Sequence, residues 1–172
     1  MQQPRALDPP YPYIISIYSF KNPHLKKIIH AIKYFHRKDL IPPLASVLAH
    51  ALLQEEISSF IVVPIPMSRL RKYARGYNHA EALADEIAER LHLTVQNDLL
   101  LRATSKKRQV LTRSRGERLK NQRNAFKVET DLHGKKILLV DDVTTTGATL
   151  SEARKALLKN GAACVRAVTI AH

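Results

Sequence analysis

The chain has 172 residues, 45% of them hydrophobic, which is enough for one domain with a buried core but too few for two independent cores. The formal net charge of +13 implies an anionic partner such as nucleic acid, an acidic lipid surface or a phosphorylated small molecule. Cys164 is the single cysteine, so an internal disulfide and a cysteine-based zinc site are excluded. No apolar run approaches the roughly 20 residues of a membrane-spanning helix, and no signal-peptide pattern opens the chain. We therefore expect a cytoplasmic protein without membrane insertion.

The first half of the chain alternates between helix and strand patterns. Apolar residues at the spacing i, i+3, i+4 and i+7 predict one buried helix face, formed by Leu25, Ile28, Ile29 and Ile32. Pro42 and Pro43 predict the first turn of a second helix, where proline is tolerated. Residues 60–63 are a short, β-branched apolar run bounded by prolines, which predicts a buried strand. Asn78, three residues before Glu81, is typical of a capping box that opens a third helix.

A basic segment interrupts the second half of the chain. Residues 102–124 hold nine Lys and Arg side chains and one acid, so the segment has a local net charge of +8. Residues 98–102 and 125–128 are candidate short strands on either side of it. Such a run is either a solvated loop without a ligand or a segment that binds an anion.

Strand, helix and strand patterns complete the chain. Residues 136–140 predict a strand, Thr149 with Glu152 predicts the cap of a helix, and Gly161 suits the position just after its end. Residues 164–170 predict the last strand. Strands that alternate with helices predict an α/β fold with a mostly parallel central sheet flanked by helices.

Two acids and a threonine-rich loop follow the strand predicted at residues 136–140. Asp141 and Asp142 come directly after its apolar residues, where open α/β sheets bind their ligands. The loop then enters a helix N-terminus, which favours a phosphate, and Gly147 lets the backbone approach it closely. Like charge keeps the acids from a phosphate, so they suit sugar hydroxyls or a Mg²⁺ ion. The stretch predicts a ribose 5-phosphate site; the alternative is an ordinary turn with capping threonines.

The stretch VDDVTTTGAT resembles the phosphoribosyl pyrophosphate (PRPP) motif of the type I phosphoribosyltransferases. Three further stretches extend the resemblance to the ComF family of phosphoribosyltransferase-like proteins over nearly the whole chain: KIIHAIKYFHRKDL, VVPIPMSRLRKYARGYNHAEALA and RQVLTRSRGERLKNQRNAFKV. The resemblance implies a type I phosphoribosyltransferase fold in a single domain, residues 1–172, with a small hood. Residues 1–58 would form the hood and helical part, and residues 59–172 the core. The core would contain the PRPP motif at residues 137–149 and a basic flap at residues about 103–121.

The resemblance also implies roles for four groups of residues. The catalytic acids Asp141 and Asp142 would contact the ribose hydroxyls and help to place Mg²⁺, directly or through water. The 5-phosphate would be held by Val143, Thr144, Thr145, Thr146, Gly147, Ala148 and Thr149. The pyrophosphate would be bound by Arg69, Arg71, Arg75, Gly76 and Asn78. A mobile flap would contribute Lys106, Lys107, Arg108, Arg113, Arg115, Arg118 and Lys120.

Residue chemistry independently favours the pyrophosphate assignment. An arginine-rich loop at the C-terminal end of a strand is well placed to neutralise a pyrophosphate, although plain surface charge is the alternative. The aromatic residues Tyr11, Tyr13, Tyr18 and Phe20 could stack on an acceptor base, but packing in the core or on an edge strand is favoured. Many ComF-like proteins begin with a cysteine-rich zinc ribbon, and with no cysteine before Cys164 we expect this chain to lack it.

Two functions from different classes follow. The first is a magnesium-dependent glycosyltransferase of nucleotide metabolism, in which a nitrogen nucleophile displaces pyrophosphate from the anomeric carbon of PRPP. Its acceptor is not identified by the sequence. The second is a competence-type accessory protein in DNA uptake, which binds single-stranded DNA or a helicase partner and uses the PRPP site as a sensor or not at all. The sequence leaves a homo-oligomer open in both cases.

Overall fold

The computed structural model describes residues 11–103 and 125–172. Its strands are β1 (Ile14–Tyr18), β2 (Phe60–Pro64), β3 (Thr94–Val95), β4 (Leu101–Arg102), β5 (Phe126–Lys127), β6 (Lys136–Val143) and β7 (Cys164–Ala171). Its helices are α1 (Pro23–Tyr34), α2 (Ile41–Leu52), α3 (Arg69–Arg75), α4 (His79–Leu91) and α5 (Ala148–Lys159). A 3₁₀ turn, Lys38–Leu40, leads into α2. None of the described helices combines the length and the apolar character needed to cross a bilayer.

Five parallel strands form the central sheet in the order β1-β7-β6-β2-β3, which confirms the predicted α/β fold class. Val140 of β6 lies opposite Pro64 of β2 on one side and Val168 of β7 on the other. Because the strands are parallel, the carboxyl ends of β2, β6 and β7 meet at one edge of the sheet. The strands β4 and β5 form a separate antiparallel pair and are shorter than the predicted residues 98–102 and 125–128.

Both faces of the sheet are covered. Side chains that alternate along β6 pack in two separate clusters, because successive residues of a strand point to opposite faces. Leu138 and Val140 belong to the cluster that includes α1, α2 and α4, while Ile137 and Leu139 belong to the cluster that includes α5. A strand that is buried on both faces needs apolar side chains on both, which explains the unbroken apolar run at residues 137–140 of β6.

The helix termini follow the predicted capping chemistry with one exception. Asn78 begins α4, where its side chain accepts a hydrogen bond from the Ala80 amide, and Gly161 follows α5 with a φ of +93°. The predicted cap of α5 by Thr149 and Glu152 is wrong, since Gly147 is the N-cap, two residues before Thr149, and α5 begins at Ala148. The chain reverses at Gly147 in a left-handed conformation that glycine adopts at little cost, so Thr149 already lies in the first turn.

The N-terminal part of the described chain contributes to the same sheet and to one of its faces. β1 pairs with β7, and α1 and α2 pack in the cluster on the α4 side. Tyr11 and Tyr13 stack with ring centroids 5.5 Å apart and pack against the α5 side, while Tyr18 and Phe20 pack against the α4 side. These aromatic residues therefore contribute to packing, which is the role that the sequence favoured over stacking on an acceptor base.

Candidate functional site

The two adjacent acids, Asp141 and Asp142, lie within β6, just before its last residue Val143. The sequence prediction that they lie beyond the strand is wrong, because Asp141 and Val143 still pair with Thr169 and Ala171 of β7. As neighbours in a strand, the two carboxylates point to opposite faces of the sheet. Each accepts a hydrogen bond from the next amide: Asp142 N donates to Asp141 Oδ1 at 2.9 Å, and Val143 N donates to Asp142 Oδ1 at 2.7 Å.

Asp142 faces the helices α1 and α4 and is paired there with a lysine. Its Oδ2 atom lies 2.7 Å from Nζ of Lys33, and the two side chains are 14% and 22% exposed. His79 and Asp142 line one small pocket with the apolar residues Ile29, Ile32, Ile41, Leu44, Leu83 and Ile170. In such apolar surroundings an unpaired carboxylate would be strongly destabilising, so the Lys33 ammonium supplies the counter-charge that Asp142 needs.

Burial and charge shift the pKa of two groups at this site in opposite directions. Burial, reinforced by the negative charge of Asp142, raises the pKa of Asp141 well above its usual range. Burial also lowers the pKa of His79, and the cations Lys33 and Arg75 lower it further against the opposing effect of Asp142. His79 is therefore neutral at pH 7. Perturbed titratable groups beside a pocket are typical of functional sites.

The threonine-rich loop between β6 and α5 is held in a tight turn. Thr144 is buried; its amide donates to the Ala171 carbonyl at 3.0 Å and its hydroxyl accepts from the Gly147 amide at 3.1 Å. Thr145 and Thr146 are exposed at the N-terminus of α5. The first amides of a helix have no intrahelical acceptor, so this end of α5 offers donors and the positive end of the helix dipole.

Glycine is required at position 147 for two reasons, the backbone conformation there and the close contact with the Tyr11 ring. The φ of Gly147 is +69°, and a Cβ atom at this position would lie 2.6 Å from Cδ2 of Tyr11. That distance is far below van der Waals contact between a methyl group and a ring carbon. The Tyr11 ring therefore packs directly on the backbone of the loop and leaves no room for a side chain.

The predicted pyrophosphate residues are divided between the site and its framework. Arg75 Nη1 donates to Nε2 of His79 at 3.0 Å, and Nη2 donates to the Tyr34 hydroxyl at 3.3 Å. Asn78 is buried, donating to the Ile65 carbonyl at 3.1 Å and accepting from the Ala80 amide at 3.2 Å, so both ends of its amide are engaged within the protein.

The other predicted anion-binding residues lie farther from the acids or outside the described ranges. Arg71 is exposed on α3, Gly76 ends α3 with a φ of +73°, and Arg69 is the first residue of that helix. The predicted flap residues lie outside the described residues: Lys106, Lys107, Arg108, Arg113, Arg115, Arg118 and Lys120. The structure thus brings Arg75 toward the acids through His79.

Sequence reasoning missed Lys33 and gave His79 no role. A signal for Lys33 exists, since it lies four residues after the buried Ile29 and therefore on the same side of α1. A lysine beside an apolar helix face needs a counter-charge when it is partly buried. Nothing local indicates that this counter-charge is Asp142, which is far away in the sequence.

The carboxylates fit a Mg²⁺ ion that a phosphorylated ligand also binds. In the described part of the chain, no group of three or more His, Cys, Asp and Glu side chains could hold a metal ion. Mg²⁺ is commonly bound through one or two carboxylates together with substrate phosphates. Asp141 lies on the α5 side of the sheet, next to the helix N-terminus that favours phosphate, and fits that arrangement, whereas Asp142 lies on the other face and is paired with Lys33.

The comparison with known protein families agrees with this geometry. A family model described as a phosphoribosyl transferase domain matches residues 74–172, more than half of the chain. The chain belongs to this family. The match includes β6 with both acids, the threonine-rich loop, α5 and β7, so it covers the part of the structure that forms the candidate site.

Individual relatives confirm the resemblance to the ComF family. The chain is 28% identical over 163 residues to the DNA utilization protein YhgH of Escherichia coli (strain K12), covering 92% of this chain and 71% of that protein. It is 35% identical over 112 residues to the competence protein ComFC of Bacillus subtilis (strain 168), covering 64% and 44%. The glutamine PRPP amidotransferase structure from B. subtilis aligns with a TM-score of 0.54 at 17% identity, covering 81% of this chain and 30% of that one, which supports the shared fold.

We expect Gly147→Ala to destabilise the protein by about 1–2 kcal/mol from its positive φ, plus the cost of displacing Tyr11. Urea denaturation measures the loss in the parent and in a Tyr11→Ala background. Removing the ring should relieve only the contact part of the loss, so the substitution should cost less in the Tyr11→Ala protein. An equal cost in both backgrounds would show that the ring contact contributes nothing.

We expect Asp141→Asn to raise the free energy of unfolding at neutral pH. Folding raises the pKa of this carboxyl, so native stability falls as the pH rises from the ordinary value of the unfolded chain through the raised native value. The gain should therefore be largest above the native pKa and disappear below the unfolded one. Urea denaturation across pH measures it. Asp142→Asn is the control, since it removes the same charge but also the partner of Lys33; an equal gain in both variants contradicts the assignment.

Proposed function

We propose that the protein binds PRPP together with Mg²⁺ at the carboxyl end of β6 and transfers its phosphoribosyl group to a nitrogen acceptor. One observation carries the proposal: two adjacent acids lie near the end of the central strand β6, which leads through Val143 into a glycine-containing threonine loop at the N-terminus of α5. Membership of the phosphoribosyl transferase domain family supports it. The acceptor is left unnamed, because the described residues do not define its chemistry.

Each part of the site suits a different part of PRPP. The hydroxyls of the exposed residues Thr145 and Thr146 and the amides of the first turn of α5 beyond Ala148 are proposed donors for the 5-phosphate, since the Ala148 amide already donates to Thr146 Oγ1. The carboxylates of Asp141 and Asp142 are acceptors for the ribose hydroxyls. The buried Thr144 has a different task, because its hydroxyl already holds the loop through the Gly147 amide.

The pyrophosphate leaves the anomeric carbon as a new carbon–nitrogen bond forms, and the proton of the acceptor nitrogen is lost. Among the predicted pyrophosphate arginines, Arg75 is proposed to bind the leaving group, since it contacts His79 beside Asp142. Asp141 and Asp142 would hold Mg²⁺, which neutralises developing charge on pyrophosphate when it is bound. A basic flap at residues about 103–121 is proposed, from the family resemblance, to cover the ligand and exclude water.

Replacing both acids with Asn should weaken PRPP binding by roughly two orders of magnitude or more, since each hydrogen bond to a charged group is worth about 1.5–3 kcal/mol. Calorimetric titration of PRPP with and without Mg²⁺ measures the loss in the Asp141→Asn, Asp142→Asn protein. The matched control is Asp39→Asn with Asp98→Asn, which changes the formal charge equally at exposed positions. A double variant of the site that binds PRPP as tightly as the parent would refute the proposal.

A second candidate function is the handling of nucleic acid. The observation that favours it is the excess of 28 Lys and Arg over 15 Asp and Glu, because one PRPP molecule needs only a few cations. Relatives named for DNA utilization and competence support it. A sensor that binds PRPP and a protein that binds nucleic acid are compatible in one chain.

The salt dependence of oligonucleotide binding tests this second function. Affinity for single-stranded DNA should fall as salt rises, and the logarithmic slope should be about −0.7 for each phosphate neutralised. Fluorescence anisotropy of a labelled oligo(dT) at several salt concentrations measures the slope. The absence of binding at low salt would rule the function out for this chain.

A further inference from the structure

Two helices near the candidate site carry positive charge without any acid. Residues 21–38, which include α1, contain six Lys and Arg residues and no Asp or Glu. Residues 68–77, which include α3, contain four Arg and Lys residues and no Asp or Glu. Lys72 of α3 is paired with Glu81 of α4 and Arg37 with Asp39, whereas no carboxylate of the described residues pairs with the exposed Lys27 or Arg71.

The same two helices expose large apolar and aromatic side chains. In the described ranges six large hydrophobic residues are exposed, and four of them lie here. Tyr34 and Phe35 at the end of α1 are 57% and 67% exposed, and Leu70 and Tyr73 on α3 are 80% and 93% exposed. Core packing accounts for none of these four, and a cluster of exposed apolar side chains is a mark of a binding surface.

Contacts between the two helices join Tyr34 at the end of α1 to the C-terminal end of α3. The Arg75 guanidinium lies over the Tyr34 ring at 5.0 Å and donates to its hydroxyl at 3.3 Å. The Tyr77 hydroxyl donates to the Ile32 carbonyl at 2.8 Å, which ties the end of α3 to α1. We call this the α1–α3 surface; it consists of Lys27, His30, Tyr34 and Phe35 on the α1 side and of Arg71 and Arg75, which share one face of α3.

Aromatic rings and cations lie together on the α1–α3 surface. His30 lies 4.6 Å from the Tyr34 ring and 5.6 Å from the Phe35 ring, measured between centroids. Lys27 lies on the same exposed face of α1, seven residues before Tyr34. Cations neutralise a phosphate backbone, and exposed aromatic rings stack on bases. In a duplex the base faces are hidden, so this combination matches a single strand.

We infer that the α1–α3 surface binds single-stranded nucleic acid through base stacking on Tyr34 and Phe35. The inference rests on the second candidate function and gives it a location other than the basic segment 102–124. It does not depend on PRPP binding. Because Arg75 contacts both Tyr34 and His79, the proposed strand would pass the edge of the candidate PRPP site.

The test compares an aromatic variant, a cation variant and a matched control by fluorescence anisotropy with labelled dT20 and U20. Tyr34→Ala with Phe35→Ala should weaken binding roughly tenfold or more at every salt concentration, with an unchanged salt slope, since stacking is insensitive to salt. Lys27→Gln should instead lower the magnitude of the slope by about 0.7. The control Leu53→Ala removes a side chain that is 64% exposed at the end of α2 and should leave binding unchanged.

Three results would overturn the inference. The first is a parent protein that does not bind dT20 or U20 at low salt. The second is parent-like affinity in the aromatic variant, which would place binding on the basic segment. The third is an equal loss of affinity for a duplex, which would show that the rings do not stack on bases. Calorimetric titration of PRPP into the same proteins separates the two proposals. If the parent binds dT20 but not PRPP, only the proposed PRPP site is refuted.

Discussion

The candidate site depends on the parallel pairing of β6 between β2 and β7. This pairing buries four successive residues of β6 on both faces of the sheet and fixes where the strand ends. Since β7 continues to Ala171, its ladder with β6 continues through both acids. The acids are therefore fixed on a buried strand, and the loop that follows them is anchored by the Thr144 amide on the same strand β7. Backbone hydrogen bonds, more than side-chain contacts, set the geometry of the site.

Ionised carboxylates at the end of a buried strand are energetically unfavourable unless a counter-charge lies close by, and the fold supplies that counter-charge for one of the two acids. Asp142 faces the helical layer, where Lys33 lies within 2.7 Å. Asp141 faces away from that lysine, and burial together with its neighbour raises its pKa. Of the two carboxyls, Asp142 is thus paired with a lysine, and Asp141 stays protonated to a higher pH than an ordinary aspartate. A nearby cation or hydroxyl donor would lower the pKa of Asp141 again, which agrees with the chemistry proposed for the site.

Much of the fold follows from local sequence patterns. The apolar runs of β2, β6 and β7, the Asn78 cap and Gly161 were all predictable, because each reflects burial or backbone geometry within a few residues. The end of β6 was not, since the change from apolar to polar residues marks the loss of burial and not the loss of strand pairing. The Lys33–Asp142 pair and the Arg75–Tyr34 contact join distant parts of the chain, and no local pattern encodes them. The exposure of Tyr34 and Phe35 could not be predicted either, because aromatic residues at a helix end suggest core packing, whereas both side chains are exposed in the structure.

One guanidinium connects the two regions for which functions are proposed. Arg75 donates one hydrogen bond to His79 beside the acids and another to Tyr34 on the α1–α3 surface. A ligand that draws Arg75 toward the acids takes a donor from Tyr34, and a strand that stacks on Tyr34 alters the position of Arg75. Equilibrium linkage makes any such effect symmetrical. If PRPP changes the affinity for a polynucleotide by some factor, the polynucleotide changes the affinity for PRPP by the same factor. A single side chain shared by two surfaces would then be enough for the concentration of a small molecule to control binding at a second surface.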